Sequence, residues 1–296
     1  MIKDFFSNNG IYYLEDVDLT KYNTYRLLSK AKGMVFPSTI EELIIVLKFL
    51  RDKNISHMFL GNGSNIIFAK EYYDKIFIKL DKLNHYEIKD ELLVAEAGVS
   101  LIKLSLECAK KGLSGLEFTC ALPGLVGSSV AMNAGAYNSS IADILVSTKV
   151  LTKDLNVKTM KNSELDFAYR HSIFKTNRDL ICLEATFKLE KRSSDEIMEV
   201  MTKRQHKRRE TQPLEYPCAG SVFRNPDGLF AGKLIEDCDL KGININGAEV
   251  STKHANFIIN KGDATGEDII NLINLIKAKV YDKFKVELIL EQEIIY

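Results

Sequence analysis

Gly61-Asn62-Gly63-Ser64-Asn65 follows an apolar stretch at 57–60 and runs directly into Ile66-Ile67-Phe68. Its two glycines look like the start of a dinucleotide fingerprint, but the third glycine is missing and strand formers, rather than a helix start, come next. That argues against a Rossmann site. A turn of this composition instead presents successive backbone N–H groups as a nest for an anion, with Ser64 and Asn65 adding side-chain donors. A phosphate suits that arrangement.

A second glycine-rich segment is Leu122-Pro123-Gly124-Leu125-Val126-Gly127-Ser128-Ser129-Val130-Ala131-Met132-Asn133-Ala134-Gly135-Ala136-Tyr137. Three glycines among small residues are wasteful in a core and suit a backbone lying against a flat or phosphorylated ligand, so 122–137 reads as a loop. Two such loops, separated by a strand-rich stretch, predict a cofactor held by nests in a non-Rossmann sheet domain.

The surrounding pattern mixes both periods. Residues 25–36 read as a strand, and overlapping capping boxes at 38–42 introduce a helix with Ile40, Leu43, Ile44, Leu47 and Leu50 on its apolar face. Strands follow at 57–60, 66–68 and 76–78, then a hairpin at 84–97 and a helix over 100–111 closed by Gly112. Further strands are expected at 144–151, 155–160 and 180–190, and a basic helix at 194–209 reads as a connector. Beyond it come a helix near 229–239, strands at 248–251 and 255–260, a helix at 266–284 and a final strand at 286–295. The class is α+β, in two or three lobes.

A chain of 296 residues with 46% hydrophobic and 27% charged positions can bury a sizeable core. Its 40 basic and 40 acidic residues cancel, which gives no reason to expect nucleic acid as a partner. No signal-like or membrane-length apolar run is present, so a cytoplasmic location without membrane attachment is expected. The five cysteines are widely spaced without a CxxC pair and read as reduced thiols. No His/Cys/Asp cluster has metal-ligand spacing, and no metal is expected.

Glu215-Tyr216-Pro217-Cys218-Ala219-Gly220-Ser221-Val222-Phe223-Arg224-Asn225-Pro226 presents a hydroxyl on a glycine-hinged turn between proline stops. Gly220 allows close approach of a ligand and the prolines stiffen both approaches, which makes Ser221 a candidate for chemistry.

Taken in order, GNGSN at 61–65, PGLVGSSVAMNAGAY at 123–137, FAYRHSIFK at 167–175, QPLEYPCAGSVFRNP at 212–226, AGKLIEDCDLKG at 231–242, GAEVSTKHANFIIN at 247–260 and LEQE at 290–293 resemble the UDP-N-acetylenolpyruvoylglucosamine reductases. These are FAD enzymes that make UDP-N-acetylmuramate for bacterial cell walls. The resemblance covers nearly the whole chain and implies two α+β lobes that bind FAD in the manner of the vanillyl-alcohol-oxidase (PCMH-type) flavoproteins, with a third α+β lobe for the sugar nucleotide. Carried onto this chain, the lobes are 1–80, 81–206 and 207–284, with 285–296 returning near the active site. The short span between Lys175 and Arg208 matches the form without a tyrosine-bearing insertion. Leu28-Ser29 and Lys285 depart from the family, which usually carries glycines there.

The implied reaction delivers hydride from FAD, itself reduced by NADPH, to an enolpyruvyl ether. Such a reaction needs a cation for the developing enolate, an acid to assist it and a proton donor for the adjacent carbon. By the resemblance these are Arg170, Glu293 and Ser221. An arginine fork can hold a carboxylate in a plane, whereas lysine cannot. Glu291 and Glu293 lie two apart on a strand and so share a face; the second matches the family's catalytic glutamate.

FAD is expected to bind without a covalent bond through Gly61, Asn62, Gly63, Ser64, Asn65, Pro123, Gly124, Gly127, Ser128, Asn133 and Gly135. Tyr137, Gln212, Asn225, Lys241 and His254 are the implied sugar-nucleotide contacts, Lys241 being suited to the diphosphate. The small-molecule substrate is the expected partner, and a monomer the expected state. Two other functions stay open from the residues: a flavin oxidase of an alcohol or sugar, and a nucleotide-sugar-binding module without turnover.

Overall fold

In the computed structural model, which describes residues 1–296, Thr39 sets where the first long helix begins. Its Oγ1 accepts the Glu42 N–H at 3.1 Å, and the Glu42 carboxylate takes the Ser38 N–H at 2.6 Å, so Ile40–Asp52 starts with its first-turn donors satisfied. Leu43, Val46, Leu47 and Leu50 then bury against Val35, Ile76, Ile78 and Phe6. The N-terminal helix Ile2–Asn8, which the sequence pattern did not reveal, adds Phe5, whose ring stacks on Phe49 at 3.8 Å.

These elements belong to the first of two units, built from residues 1–15, 33–61 and 75–207. Within it His57–Phe59 runs parallel to residues 76–78, with Phe59 opposite Ile78. A five-stranded antiparallel sheet has the order Val157–Lys161, Leu145–Leu151, Ile181–Lys188, Leu92–Glu96, Tyr86–Lys89. Helices Leu101–Lys110 and Val126–Met132 bury Leu101, Leu104, Val126 and Val130 in the same cluster as Leu93, Ala95 and Phe187 of that sheet. The second of these helices corrects the reading of 122–137 as one continuous loop. Only small residues lie between Val126 and Val130, which is what lets the helix sit close to its neighbours.

The second unit comprises residues 16–32, 62–74 and 208–296. Its longest helix, Gly266–Phe284, starts at a reciprocal Thr265–Asp268 capping box and buries Ile269, Leu272, Ile273, Ile276 and Val280. A three-stranded antiparallel sheet pairs Ala248–Val250 with Asn244–Ile245 and with Ile258–Asn260. The expected strand at 25–36 is shortened to Lys30–Phe36. Asn23 is the reason: its amide accepts from the Leu27 N–H and donates to the Leu19 and Leu27 carbonyls, curling 23–27 into a turn in which Arg26 has φ +56°.

The departures from glycine have different local consequences. Ser29 is buried and its hydroxyl donates to the Lys70 carbonyl at 2.8 Å, while Leu28 stands exposed. Lys285 ends the long helix with φ +58°, a left-handed conformation that disfavours a side chain. Lys285→Gly is therefore expected to stabilise the protein by about 1 kcal/mol, read as a higher urea midpoint at unchanged slope.

Candidate active site

Ser221 and Glu293 lie in the second unit on a shared backbone scaffold. Gly220 turns with φ +75°, and directly after it 222–224 lies antiparallel to 289–291. Glu291 N–H donates to Val222 O at 2.8 Å and Arg224 N–H to Ile289 O at 2.9 Å. The segment then changes partner: Glu293–Ile295 runs parallel to Ile66–Phe68, and Glu293 N–H donates to Asn65 O at 2.9 Å. The final strand is accordingly shorter than the expected 286–295, because its first half is held by the Ser221 segment instead. Asn65 reaches back with Nδ2 to Glu291 O at 3.1 Å.

From the opposite side Asn256, which is buried, clamps the residues after Ser221. Its backbone O accepts Val222 N–H, its Oδ1 accepts Phe223 N–H, and its Nδ2 donates to Phe223 O, all at 2.8–2.9 Å. Asn260 donates its N–H to Pro217 O at 2.9 Å, tying down the entry to the turn. Sequence reasoning missed both asparagines. The available signal was an amide inside the otherwise apolar run 255–260, since a buried amide must find partners. Burial pushes the Cys218 thiol up, away from the thiolate form.

Four of the five residues expected to meet the sugar nucleotide, Gln212, Asn225, Lys241 and His254, share this unit and already make bonds within it. Asn225 Oδ1 accepts Ala231 N–H at 3.1 Å at the start of helix Ala231–Asp237, and Gln212 Oε1 accepts from Arg208 Nε at 2.7 Å. Lys241 pairs with Glu236 at 2.8 Å. His254 Nδ1 accepts the Asn256 N–H at 3.2 Å, which puts the ring proton on Nε2, and burial pushes its pKa down, so the ring is neutral.

Arg170 lies in the first unit, at the third position of a tight turn in which Ala168 and His171 exchange both backbone hydrogen bonds. It has φ +56°, and its Nη2 donates to Gly135 O at 2.8 Å while the guanidinium lies 5.2 Å from the Tyr169 ring. Asn133 supports the same turn: it is buried, donates from Nδ2 to Ala168 O at 2.9 Å and accepts Ala142 N–H at 3.0 Å. Asn133 and Gly135, expected at the cofactor, thus hold the arginine turn. Tyr137 is half-exposed and packs on the helix Ser194–Thr211, its hydroxyl donating to Arg204 O at 3.2 Å with the Arg204 guanidinium 4.6 Å over its ring.

In the same unit the helix Val126–Met132 uses its first two N–H groups internally, Val126 to Val99 O and Gly127 to Ala97 O, both at 2.9 Å. These two donors do not form a nest. A Cβ on Gly127 would stand 2.8 Å from the Ala97 Cβ, so this glycine serves helix-to-strand packing. Gly127→Val is expected to lower unfolding free energy by about 1–3 kcal/mol even in flavin-free protein. Urea titration of the apoprotein checks this; an unchanged midpoint would refute the packing role.

The first glycine segment fits a phosphate better. Gly61 O accepts from the buried Lys79 ammonium at 2.7 Å, and Lys79 is paired with Asp81 at 3.2 Å. Burial pushes the lysine pKa down. A carbonyl turned onto the ammonium directs the N–H of the same planar peptide, that of Asn62, to the opposite side. A Cβ on Gly61 would stand 3.2 Å from the Cβ and Oγ of the exposed Ser128, a close approach that the serine side chain would have to ease by a few tenths of an ångström. In the second unit Gly63 O accepts from Thr24 N–H at 3.1 Å, which turns the Ser64 N–H away in the same manner. Gly63 has φ +63° and a Cβ there would run into the Tyr22 carbonyl.

Residues 212–295 match the C-terminal domain of UDP-N-acetylenolpyruvoylglucosamine reductase, and residues 31–160 match an FAD binding domain. A UDP-N-acetylenolpyruvoylglucosamine reductase of Caldicellulosiruptor saccharolyticus is 41% identical over 96% of this chain and 92% of its own length. One of Clostridium botulinum (strain Hall) is 40% identical over 99% and 95%. The crystal structure of the reductase of that name from Thermus caldophilus superposes with a TM-score of 0.80 at 31% identity, covering 96% of this chain and 98% of that one. The α+β flavoprotein fold implied by the sequence motifs is thus borne out. Matched along both its FAD-binding and C-terminal segments and over nearly its whole length, the chain belongs to the UDP-N-acetylenolpyruvoylglucosamine reductase family.

Proposed function

We propose that this chain reduces the enolpyruvyl ether of UDP-N-acetylglucosamine to UDP-N-acetylmuramate, with Arg170, Ser221 and Glu293 as its catalytic residues. FAD, when bound, would supply the hydride for the substrate, having received one from NADPH. Asn62 and Ser64, through their N–H groups, with Gly61, Gly63 and Ser128 giving room, are the residues suited to hold its diphosphate. Asn65, Pro123, Gly124 and Gly127 are proposed to line the same ligand.

The observation that carries the assignment is the joint scaffold of Ser221 and Glu293. The pairing of 222–224 with 289–291 and of 293–295 with 66–68 puts a hydroxyl and a carboxylate on neighbouring, backbone-fixed positions. Ser221 gives its hydroxyl proton to the substrate carbon next to the one that receives hydride. A serine hydroxyl is a weak acid, and fixed placement is what makes it useful. Arg170 holds the substrate carboxylate and stabilises the enolate, and Glu293 is assigned the assisting acid. Gln212, Asn225, Lys241, His254 and Tyr137 are proposed for the sugar nucleotide; Lys241 must exchange Glu236 for the diphosphate, a replacement of one anion by another of greater charge.

The family's three-lobed division, 1–80, 81–206 and 207–284 with 285–296 at the active site, is proposed with this function. We also assign a cytoplasmic monomer. The five cysteines are all free, as expected of a reducing compartment, and no helix is long and apolar enough to cross a membrane.

Purified protein should be yellow, and should consume NADPH when UDP-N-acetylglucosamine enolpyruvate is added. Oxygen-dependent turnover of an alcohol or sugar would make it an oxidase instead, and binding of the sugar nucleotide without NADPH consumption would make it a binding module.

A further inference from the structure

Gln292 is the residue at which the C-terminal segment changes partner, lying between the pairing of 289–291 with 222–224 and that of 293–295 with 66–68. Its side chain is 3% exposed and its amide is fully engaged within the second unit. Nε2 donates to Ala219 O at 3.0 Å and to Gly220 O at 3.3 Å, and Oε1 accepts from the Tyr25 hydroxyl at 3.0 Å. Two carbonyl acceptors can be met only by the NH2 end, so the amide has one orientation and Tyr25 must be the donor. Tyr25 is itself buried, and its carbonyl accepts from Asn260 Nδ2 at 2.9 Å.

We infer that Gln292 is a positioning residue for substrate reduction, its amide fixing Gly220, and through it the Ser221 hydroxyl, against the backbone that carries Glu293. The inference rests on the assignment of Ser221 and Glu293 given above. Asn256 grips only the residues after Ser221, at 222 and 223, whereas Gln292 grips those before it, at 219 and 220. With both clamps the hydroxyl sits on a turn held on either side. Without Gln292 two carbonyls and a phenol lose their partners, and the turn is anchored from one side only.

The test uses FAD-loaded Gln292→Leu, which keeps the bulk and removes the amide, beside Tyr25→Phe and Ser221→Ala. Flavin content, reduction by NADPH, and reoxidation of pre-reduced enzyme at saturating substrate are each measured. Gln292→Leu is expected to keep its flavin and its reduction rate and to reoxidise about a hundredfold more slowly, the scale of a misplacement near 1 Å. Tyr25→Phe, which leaves the amide but frees its acceptor, should slow the same step roughly three- to tenfold. The double variant should be no slower than Gln292→Leu alone, because both changes break one network.

Parental reoxidation in Gln292→Leu, or equal loss in both half-reactions, overturns the inference. If Gln292→Leu does not fold, Tyr25→Phe decides alone, and parental reoxidation there overturns it. Loss in Ser221→Ala with none in the other two rejects the positioning role and leaves the site standing. A parental rate in Ser221→Ala rejects the site, and the positioning role with it.

Discussion

Ser221→Ala is expected to fold, bind FAD and be reduced by NADPH at the parental rate, and then to reoxidise with the enolpyruvyl substrate at least about a hundredfold more slowly. The selectivity follows from how the turn is held. Asn256 grips the backbone of residues 222 and 223 and Gln292 grips that of 219 and 220, so deleting the Ser221 oxygen disturbs no clamp. Ser221→Cys should retain part of the rate, since a thiol donates a proton from nearly the same place. The decisive measurement is reoxidation of pre-reduced enzyme at saturating substrate, which removes binding from the comparison. A parental rate for Ser221→Ala would hand the proton transfer to water or another residue.

Arg170→Lys should separate the half-reactions in the same sense, with flavin reduction intact and reoxidation down by about two to three powers of ten. The arginine can keep one N–H on the Gly135 carbonyl, 2.8 Å away, while the rest of its planar fork faces a carboxylate. Lysine has a single ammonium and must choose between them. Position 170 has φ +56° whichever of the two residues occupies it, so backbone strain is unchanged by the substitution. Stopped-flow absorbance of the flavin reads both steps. Equal loss in both would make the arginine a structural prop of its turn.

Much of the architecture was legible because it is written in short-range patterns. The helix Gly266–Phe284 matches the expected 266–284, since a Thr265–Asp268 box precedes an unbroken apolar stripe. The turn at Ser221 was legible from Gly220 between two prolines. The helix Val126–Met132 was not, because its small residues carry too little apolar contrast to show a period, and their reason for being small lies at Ala97. The partner change at Gln292 was equally hidden: 286–295 is rich in strand-forming residues on both sides of it, and strand composition does not say which neighbour a strand has. The structural role of Asn133 at the arginine turn was hidden for a related cause. Its left-handed backbone and its bond to Ala168, 35 residues away, leave no local signature.

The parallel pairing of Ile66–Phe68 with Glu293–Ile295 has a consequence in time. Asn65 and Glu291, which meet at its edge, are 226 residues apart in sequence. At a synthesis rate of about 5–20 residues per second, the earlier strand waits roughly 10–45 s on the ribosome before its partner exists. During that interval Ile66-Ile67-Phe68 is an unsatisfied apolar edge, open to another nascent chain. Pairing of the segment that carries Glu293 with this strand therefore comes at least that long after the strand is made, and its yield should depend on how well that edge is shielded during translation.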